Sequence, residues 1–301
     1  MSHHVIVGAG PVGTATAQLL ANQGEQVRLV SRSGRGPVDP AIELIAADAT
    51  DAEKLTALAT GANALYNCAN PQYHRWLTDW PPLYSAMLTA VQRNDTLLVN
   101  ANNAYGYGHV SAPITESTPL GATHPKLRLR GDMWNEALKA HQAGTMRVTE
   151  VRASDYIEAN SIFSFVLLKP LHANKTAYTP VPLDVLHSWT SIGDVARALV
   201  TVAKDERAWG QAWHAPTNAP LTVRQLATKY AELMNLNTPK LAEIPYPILW
   251  SMGLFSPMLR ELRTTRYQFT EPFILDSTHT ESTFGLAPTD MDTALRNIAR
   301  P

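Results

Sequence analysis

Val5-Ile6-Val7-Gly8-Ala9-Gly10-Pro11-Val12-Gly13, near the start of a 301-residue chain, decides the fold. A short β-rich run passes straight into G-x-G-x-x-G and then into a helical stretch through Asn22, closed by Gly24 as a C′ residue. The string alone is weak, but this setting is the one the motif requires. Gly8 permits a tight turn, Gly10 lets backbone approach a pyrophosphate, and Gly13 lets the helix pack close to the strand. The helix that follows, read over Ala15–Asn22, offers its first N–H groups to an anion, with Pro11 and Val12 counted among the cofactor-binding residues.

Working outward, further apolar runs follow at Val27–Val30, Ile42–Ala46, Ala64–Cys68, Thr96–Asn100 and Val148–Arg152. Helical stretches alternate with them. Asp51 caps one that runs through Ala59, and Asp79 before Pro81-Pro82 suits an N-cap opening a helix through about Arg93. This alternation predicts an α/β fold, a Rossmann-type doubly wound parallel sheet. After Ser154 the rhythm loosens and prolines punctuate short segments, with helices near Asp194–Lys204 and Thr222–Leu236. The expected division is a dinucleotide-binding domain over 1–154 and a smaller C-terminal substrate lobe over 155–301, some of which can return to the sheet.

The end of the second strand selects the cofactor. A free ribose 2′-hydroxyl usually meets an acid about 20 residues beyond the glycines. Here the strand ends Val30-Ser31-Arg32-Ser33-Gly34-Arg35, with no acid. Arg32 can bind a 2′-phosphate through charge-assisted forks. NADP(H) is therefore favoured over NAD(H).

Composition narrows the partners. With 25 Lys+Arg and 26 Asp+Glu the formal charge is −1, so no nucleic-acid partner is expected. Charged residues make up 17% and apolar ones 45%, which argues against disorder. The greasiest segments, Ile162–Leu168 and Tyr246–Leu259, fall short of a spanning helix, and Pro247 and Pro257 interrupt the second. No membrane partner is expected. Met1-Ser2-His3-His4 lacks a basic n-region, so the chain reads as cytoplasmic. One cysteine, Cys68, allows no internal disulfide and reads as inert at the end of a buried strand. Ten histidines show no metal-ligand spacing, and no G-x-S-x-G elbow occurs.

Five segments in order resemble the extended and atypical branch of the short-chain dehydrogenase/reductases, the NAD-dependent epimerase/dehydratase type. Ala47-Asp48-Ala49-Thr50-Asp51 is similar to the family's Asp-x-x-Asp segment, which implies that Asp48, beside Ala49, contacts the adenine amino group. Asn67-Cys68-Ala69-Asn70 resembles the segment that runs beside the cofactor. Val99–Gly106, Val151–Tyr156 and Ser191–Ala196 resemble the fifth-strand, sixth-strand and substrate-lobe signatures. Members that do hydride chemistry carry Tyr-x-x-x-Lys on the helix after the fifth strand. Aligning 125–140 puts Lys126 at the Tyr position and Arg130 at the Lys position, and Ala101 or Asn102 at the upstream Ser. No Tyr-x-x-x-Lys occurs in the chain.

The candidates for the missing acid/base are Lys126, Tyr105 and Tyr107. Arg130 is a poor proton donor but can hold a ribose. Tyr73–Trp76, Trp80–Tyr84, Trp189, Trp250, Phe255, Tyr267 and Phe269 are either a substrate wall or packing, and Arg260, Arg263 and Arg266 recur every three residues. Two readings follow. The first is an NADP(H)-dependent oxidoreductase or epimerase-like enzyme acting on a small carbonyl or alcohol. The second is a catalytically silent NADP(H)-binding regulator, similar to the superfamily's nitrogen-repression proteins. The family also pairs through the two helices beside the fifth strand, which implies a homodimer.

Overall fold

The computed structural model describes residues 3–255 and 257–298. Met1 and Ser2, the first half of the N-terminal stretch without a basic n-region, lie outside them, as does Ser256 of the second greasy segment. The strands are β1 (His3–Val7), β2 (Gln26–Ser31), β3 (Ile42–Ala46), β4 (Ala64–Asn67), β5 (Leu97–Asn103), β6 (Arg147–Ala153), β7 (Asp155–Tyr156), β8 (Ala177–Thr179), β9 (Trp189–Thr190), β10 (Ala212–His214) and β11 (Leu241–Glu243). Seven of them form one parallel sheet in the order β10-β6-β5-β4-β1-β2-β3. The order reverses between β1 and β4, the switch point outside which such sheets bind ligands.

Helices α1 (Pro11–Asn22), α2 (Ala52–Ala59), α3 (Trp76–Asn94) and α4 (Pro125–Gln142) follow the first strands. Because the sheet is covered on both faces, successive strand residues feed two cores. Ile6, Leu29, Tyr66 and Val99 pack on one side with Leu20 of α1, while Val5, Val7, Leu65 and Leu98 pack on the other with Trp76, Trp80, Met87 and Trp134. Asp51 caps α2 as expected, its carboxylate accepting from the Lys54 N–H. Helix α3 corrects the reading at Asp79. It begins a turn earlier, and Pro81 and Pro82 lie inside it. Trp76 and Trp80, one helical turn apart, are both buried, and the Trp76 indole donates to the Pro71 carbonyl at 3.0 Å. That burial draws the preceding turn into the helix despite two lost N–H donors.

Beyond β7 come α5 (Leu168–His172), α6 (Ile192–Lys204) and α7 (Val223–Leu233), then α8 (Tyr246–Met252), α9 (Pro257–Thr265), α10 (Tyr267–Thr270), α11 (Thr278–Phe284) and α12 (Met291–Arg296). Residues 192–214 return to the sheet. Helix α6 packs beside α1 through Val195, Ala198, Leu199 and Val202, and β10 joins the edge next to β6. The remainder surrounds its own core, which includes Ile157, Phe163, Trp189, Leu226, Tyr230, Phe269 and Leu295. Thr222 and Gln225 close a capping box at the start of α7. Strand pairings β7–β9 and β8–β11 lie in this part.

Candidate active site

A cleft of about 790 Å³ opens at the switch point. Its floor is the glycine turn. Gly8 has φ +108°, and a Cβ there would lie 2.6 Å from the Cys68 carbonyl oxygen. A Cβ on Gly13 would lie 1.9 Å from the Gly8 carbonyl oxygen, whereas one on Gly10 meets nothing within 4 Å. Gly10 is the N-cap of α1 and no side chain caps the helix. The turn is thus packed tightly behind and open in front, where a helix N-terminus favours an anion.

Twelve of the residues expected to hold a dinucleotide line this one cleft: Gly8, Gly10, Pro11, Val12, Ser31, Arg32, Asp48, Ala49, Ala69, Asn70, Asn102 and Arg130. Gly13 lies behind the turn. Arg32 is exposed on the rim and has no hydrogen-bond or ion-pair partner among the described residues. Asp48 Oδ1 accepts from the N–H of Thr50 at 3.0 Å and from its hydroxyl at 2.9 Å, and these bonds hold the carboxyl below the usual range. Cys68 is buried in apolar surroundings that push its thiol up to about 12, so it is not a thiolate near neutral pH.

At the opposite end the sheet face is polar. Arg130 donates from Nε to Asn102 Oδ1 at 2.7 Å and from Nη2 to the Ala101 carbonyl at 3.1 Å, while Asn102 Nδ2 donates to Glu150 at 2.9 Å. The guanidinium lies 4.3 Å from the Trp80 ring centre. Burial lowers its pKa to about 10, which still leaves it charged at neutral pH. Arg130 is a fixed cation at the end of β5, held from both sides.

The three acid/base candidates separate. Tyr105 lines the cleft, and its hydroxyl has no hydrogen-bond partner among the described residues. Burial, then the neighbouring Tyr73 and Asp155, raise its pKa well above the ordinary phenol value. Tyr107 is off the wall. Its hydroxyl accepts from Arg152 at 2.8 Å and donates to His214 Nε2 at 2.7 Å, and His214 Nδ1 donates to the Asp276 carbonyl at 2.6 Å. Both capacities of that hydroxyl are engaged inside the protein. Lys126 is also off the wall. Its ammonium is ion-paired with Glu261 of α9 and lies 4.8 Å from the Tyr73 ring centre. Nothing local in the sequence around Lys126 announces a partner 135 residues away.

The neutral form of His214 satisfies both its neighbours, and burial lowers its pKa to about 4. The unfolded chain then binds more protons than the folded one between about 6.5 and 4. Stability is complete above that window and is lost as pH falls through it, by about 3 kcal/mol for this residue. Urea unfolding between pH 7 and pH 4.5 checks this. His214→Gln should be less stable at pH 7 but shallower in its pH dependence.

Sequence reading missed the far wall. Asp155, Tyr156, Gln268 and Phe273 complete the cleft with Tyr73. Behind Asp155 sits buried His187, stacked 4.4 Å from Phe269. Its Nδ1 faces the Gln268 carbonyl at 3.0 Å and its Nε2 faces Asp155 Oδ2 at 2.8 Å. A carbonyl only accepts, so Nδ1 carries a proton, and another lies in the His187–Asp155 bond. Asp155 and Tyr156 lie inside the sixth-strand signature Val151–Tyr156, a signal available in the sequence; His187 carries none. Among the described residues no group of three His, Cys, Asp or Glu is placed to hold a metal.

Strand order and glycine turn define a Rossmann-type α/β protein with its cleft at the switch point. The sequence matches the NAD dependent epimerase/dehydratase family over residues 4–213, and the chain belongs to that family. Among solved structures, MoeE5 in complex with UDP-glucuronic acid and NAD is 17% identical, with a TM-score of 0.79 over 99% of this chain and 97% of that one. The enzyme WbmH of Bordetella bronchiseptica in complex with NAD+ is 17% identical, with a TM-score of 0.74 over 99% and 97%. The UDP-glucose 4-epimerase of Thermotoga maritima with UDP-glucose is 12% identical, with a TM-score of 0.78 over 98% and 96%. At these identities the likeness is one of fold. No curated protein sequence matches the chain significantly.

Proposed function

We propose that this protein is an NADP(H)-dependent oxidoreductase that reduces a small carbonyl compound, with Tyr105 as the proton donor. The observation that carries the reading is Tyr105 itself, a phenol whose hydroxyl has no hydrogen-bond partner among the described residues, on the wall of a cleft whose other end presents Arg32. The residues fit the dinucleotide. The space before Gly10 is open for a pyrophosphate, Arg32 is free for a 2′-phosphate, and Asp48 has an oxygen left for an adenine amino group. Arg130 and Asn102 would border the nicotinamide ribose. When bound, the reduced nicotinamide supplies a hydride to the carbonyl carbon.

Tyr105 then orients the carbonyl oxygen by hydrogen bonding and gives it a proton. In the usual family arrangement a lysine lowers the phenol pKa; here Lys126 is held by Glu261 and Arg130 by Asn102. A phenol held protonated is present as the acid and not as the base near neutral pH, so the step it can assist there is protonation of a carbonyl oxygen being reduced, not deprotonation of an alcohol. The reduction rate should stay flat from about pH 6 to 9, because the donor remains protonated throughout. Tyr105→Phe should lose about 100-fold or more in turnover with little change in NADPH affinity. The assay is NADPH consumption with a panel of aldehydes and ketones, followed at the nicotinamide band. A pH-dependent loss between 6 and 8 in the reducing direction would contradict the assignment.

The same engagement of Lys126 and Arg130 favours a second reading, a silent redox sensor that binds NADP(H) without turning it over. The division into a cofactor domain to Ser154 and a substrate lobe beyond it, the cytosolic setting and pairing of two copies through α3 and α4 belong to the proposal too. Their support is the separate core around Phe163, the single buried cysteine and the family's habit of pairing beside β5. Among the described residues no helix is long and apolar enough to cross a membrane.

A further inference from the structure

Residues 246–255 of the second greasy segment are absorbed neither by the core nor by the cleft. In Tyr246–Phe255 only Leu249 and Gly253 turn inward. Tyr246, Ile248, Trp250, Met252, Leu254 and Phe255 are exposed on one continuous stretch, Leu254 at 60% and Phe255 at 89%. Single exposed apolar residues are ordinary; six in ten positions mark an interaction surface.

The charges beside it are of one sign. Arg260, Arg263 and Arg266 follow on α9 and at its end, and none is ion-paired among the described residues. Arg263 lies 4.7 Å from the Trp250 ring centre and donates to the Trp250 carbonyl, and Arg266 lies 4.4 Å from the Tyr246 ring centre. Between Tyr246 and Tyr267 the one acid is Glu261, which is bound to Lys126. The outer face of α8 and α9 is therefore apolar and cationic, in a chain whose overall charge is −1.

We propose that this face docks peripherally on an anionic lipid bilayer. Phe255, Leu254 and Met252 would enter the acyl boundary, Trp250 and Tyr246 would sit at the headgroup level, and the three arginines would meet lipid phosphates. Its charge excludes a second copy of the same face as the occupant, since arginines would oppose arginines with no acid to pair them. Pro247 and Pro257 and the seven-residue length of α8 rule out spanning. The expectation of no membrane partner rests on spanning length alone, which does not address surface contact. The inner side of α9 approaches the cleft: its Glu261 holds Lys126 over Tyr73, which lines the cleft, and Gln268 of the next helix, α10, lies on the wall. Docking would set the cleft beside the lipid, a position suited to an apolar substrate.

The test is co-sedimentation of the full chain with phosphatidylcholine vesicles, plain or carrying about one-third phosphatidylglycerol. Binding is expected to the anionic vesicles and at least about tenfold weaker to the neutral ones. Arg260→Glu should weaken it by about fivefold or more, and Leu254→Ser with Phe255→Ser should abolish it, both with unchanged NADPH affinity. These side chains are exposed, so folding is preserved, and an unchanged unfolding midpoint verifies it. No binding to either vesicle, or equal binding to both, overturns the proposal. So does a dimer, measured by light scattering, that disappears in the Leu254→Ser and Phe255→Ser variant. The outcome does not depend on turnover, so it stands or falls separately from the enzymatic reading.

Discussion

Arg32→Ala is expected to weaken NADPH binding by about tenfold to a hundredfold and to leave NADH binding within about twofold. The guanidinium stands on the rim of the cleft without a hydrogen-bond or ion-pair partner among the described residues, beside Ser31 at the end of β2. A 2′-phosphate placed there gains one or two charge-assisted bonds, each worth about 1.5–3 kcal/mol. Nothing inside the protein is lost when the side chain is cut, so fold and stability should be unchanged. NADH lacks the phosphate and gives the internal control. Calorimetric titration with both nucleotides checks the prediction, and equal losses for both would remove Arg32 from the 2′ site.

Gly13→Ala should cost both the cofactor and the fold. Its Cβ would sit 1.9 Å from the Gly8 carbonyl oxygen, backbone against side chain with no rotamer to escape by. Helix α1 would have to move off β1, and overpacking of this kind costs about 1–3 kcal/mol or more. Gly10→Ala separates the two roles. There a Cβ meets nothing within 4 Å, so the variant should unfold at the wild-type midpoint yet bind NADPH much more weakly. Wild-type NADPH affinity in Gly10→Ala would show that no phosphate approaches that face.

That the glycine turn, Arg32 and Asp48 line one cleft was legible because their signals are local. The glycine turn, the arginine closing β2 and Asp48 after β3 each sit a fixed distance from a strand end, and the parallel sheet brings strand ends together. The opposite end of the cleft is assembled from remote pieces. Gln268 and Phe273 reach the wall from the last part of the chain, and His187 meets Asp155 from 32 residues away. No periodicity encodes such meetings. Lys126 shows the consequence: its position on α4 pointed at the cleft, but Glu261 holds it elsewhere. Strand β10 escaped notice because three residues, Ala212–His214, are too short to display alternation. In α3, burial of two tryptophans outweighed the proline signal.

The central claim is that the bound nucleotide does hydride chemistry with Tyr105 supplying the proton. It is tested most directly by incubating the protein with NADPH deuterated at the reacting carbon and a panel of aldehydes and ketones, then weighing the products. Deuterium should appear at the carbinol carbon of at least one product with the wild-type protein and fall about 100-fold or more with Tyr105→Phe. Tight NADPH binding with no deuterium transferred to any carbonyl would contradict it and identify a silent sensor instead.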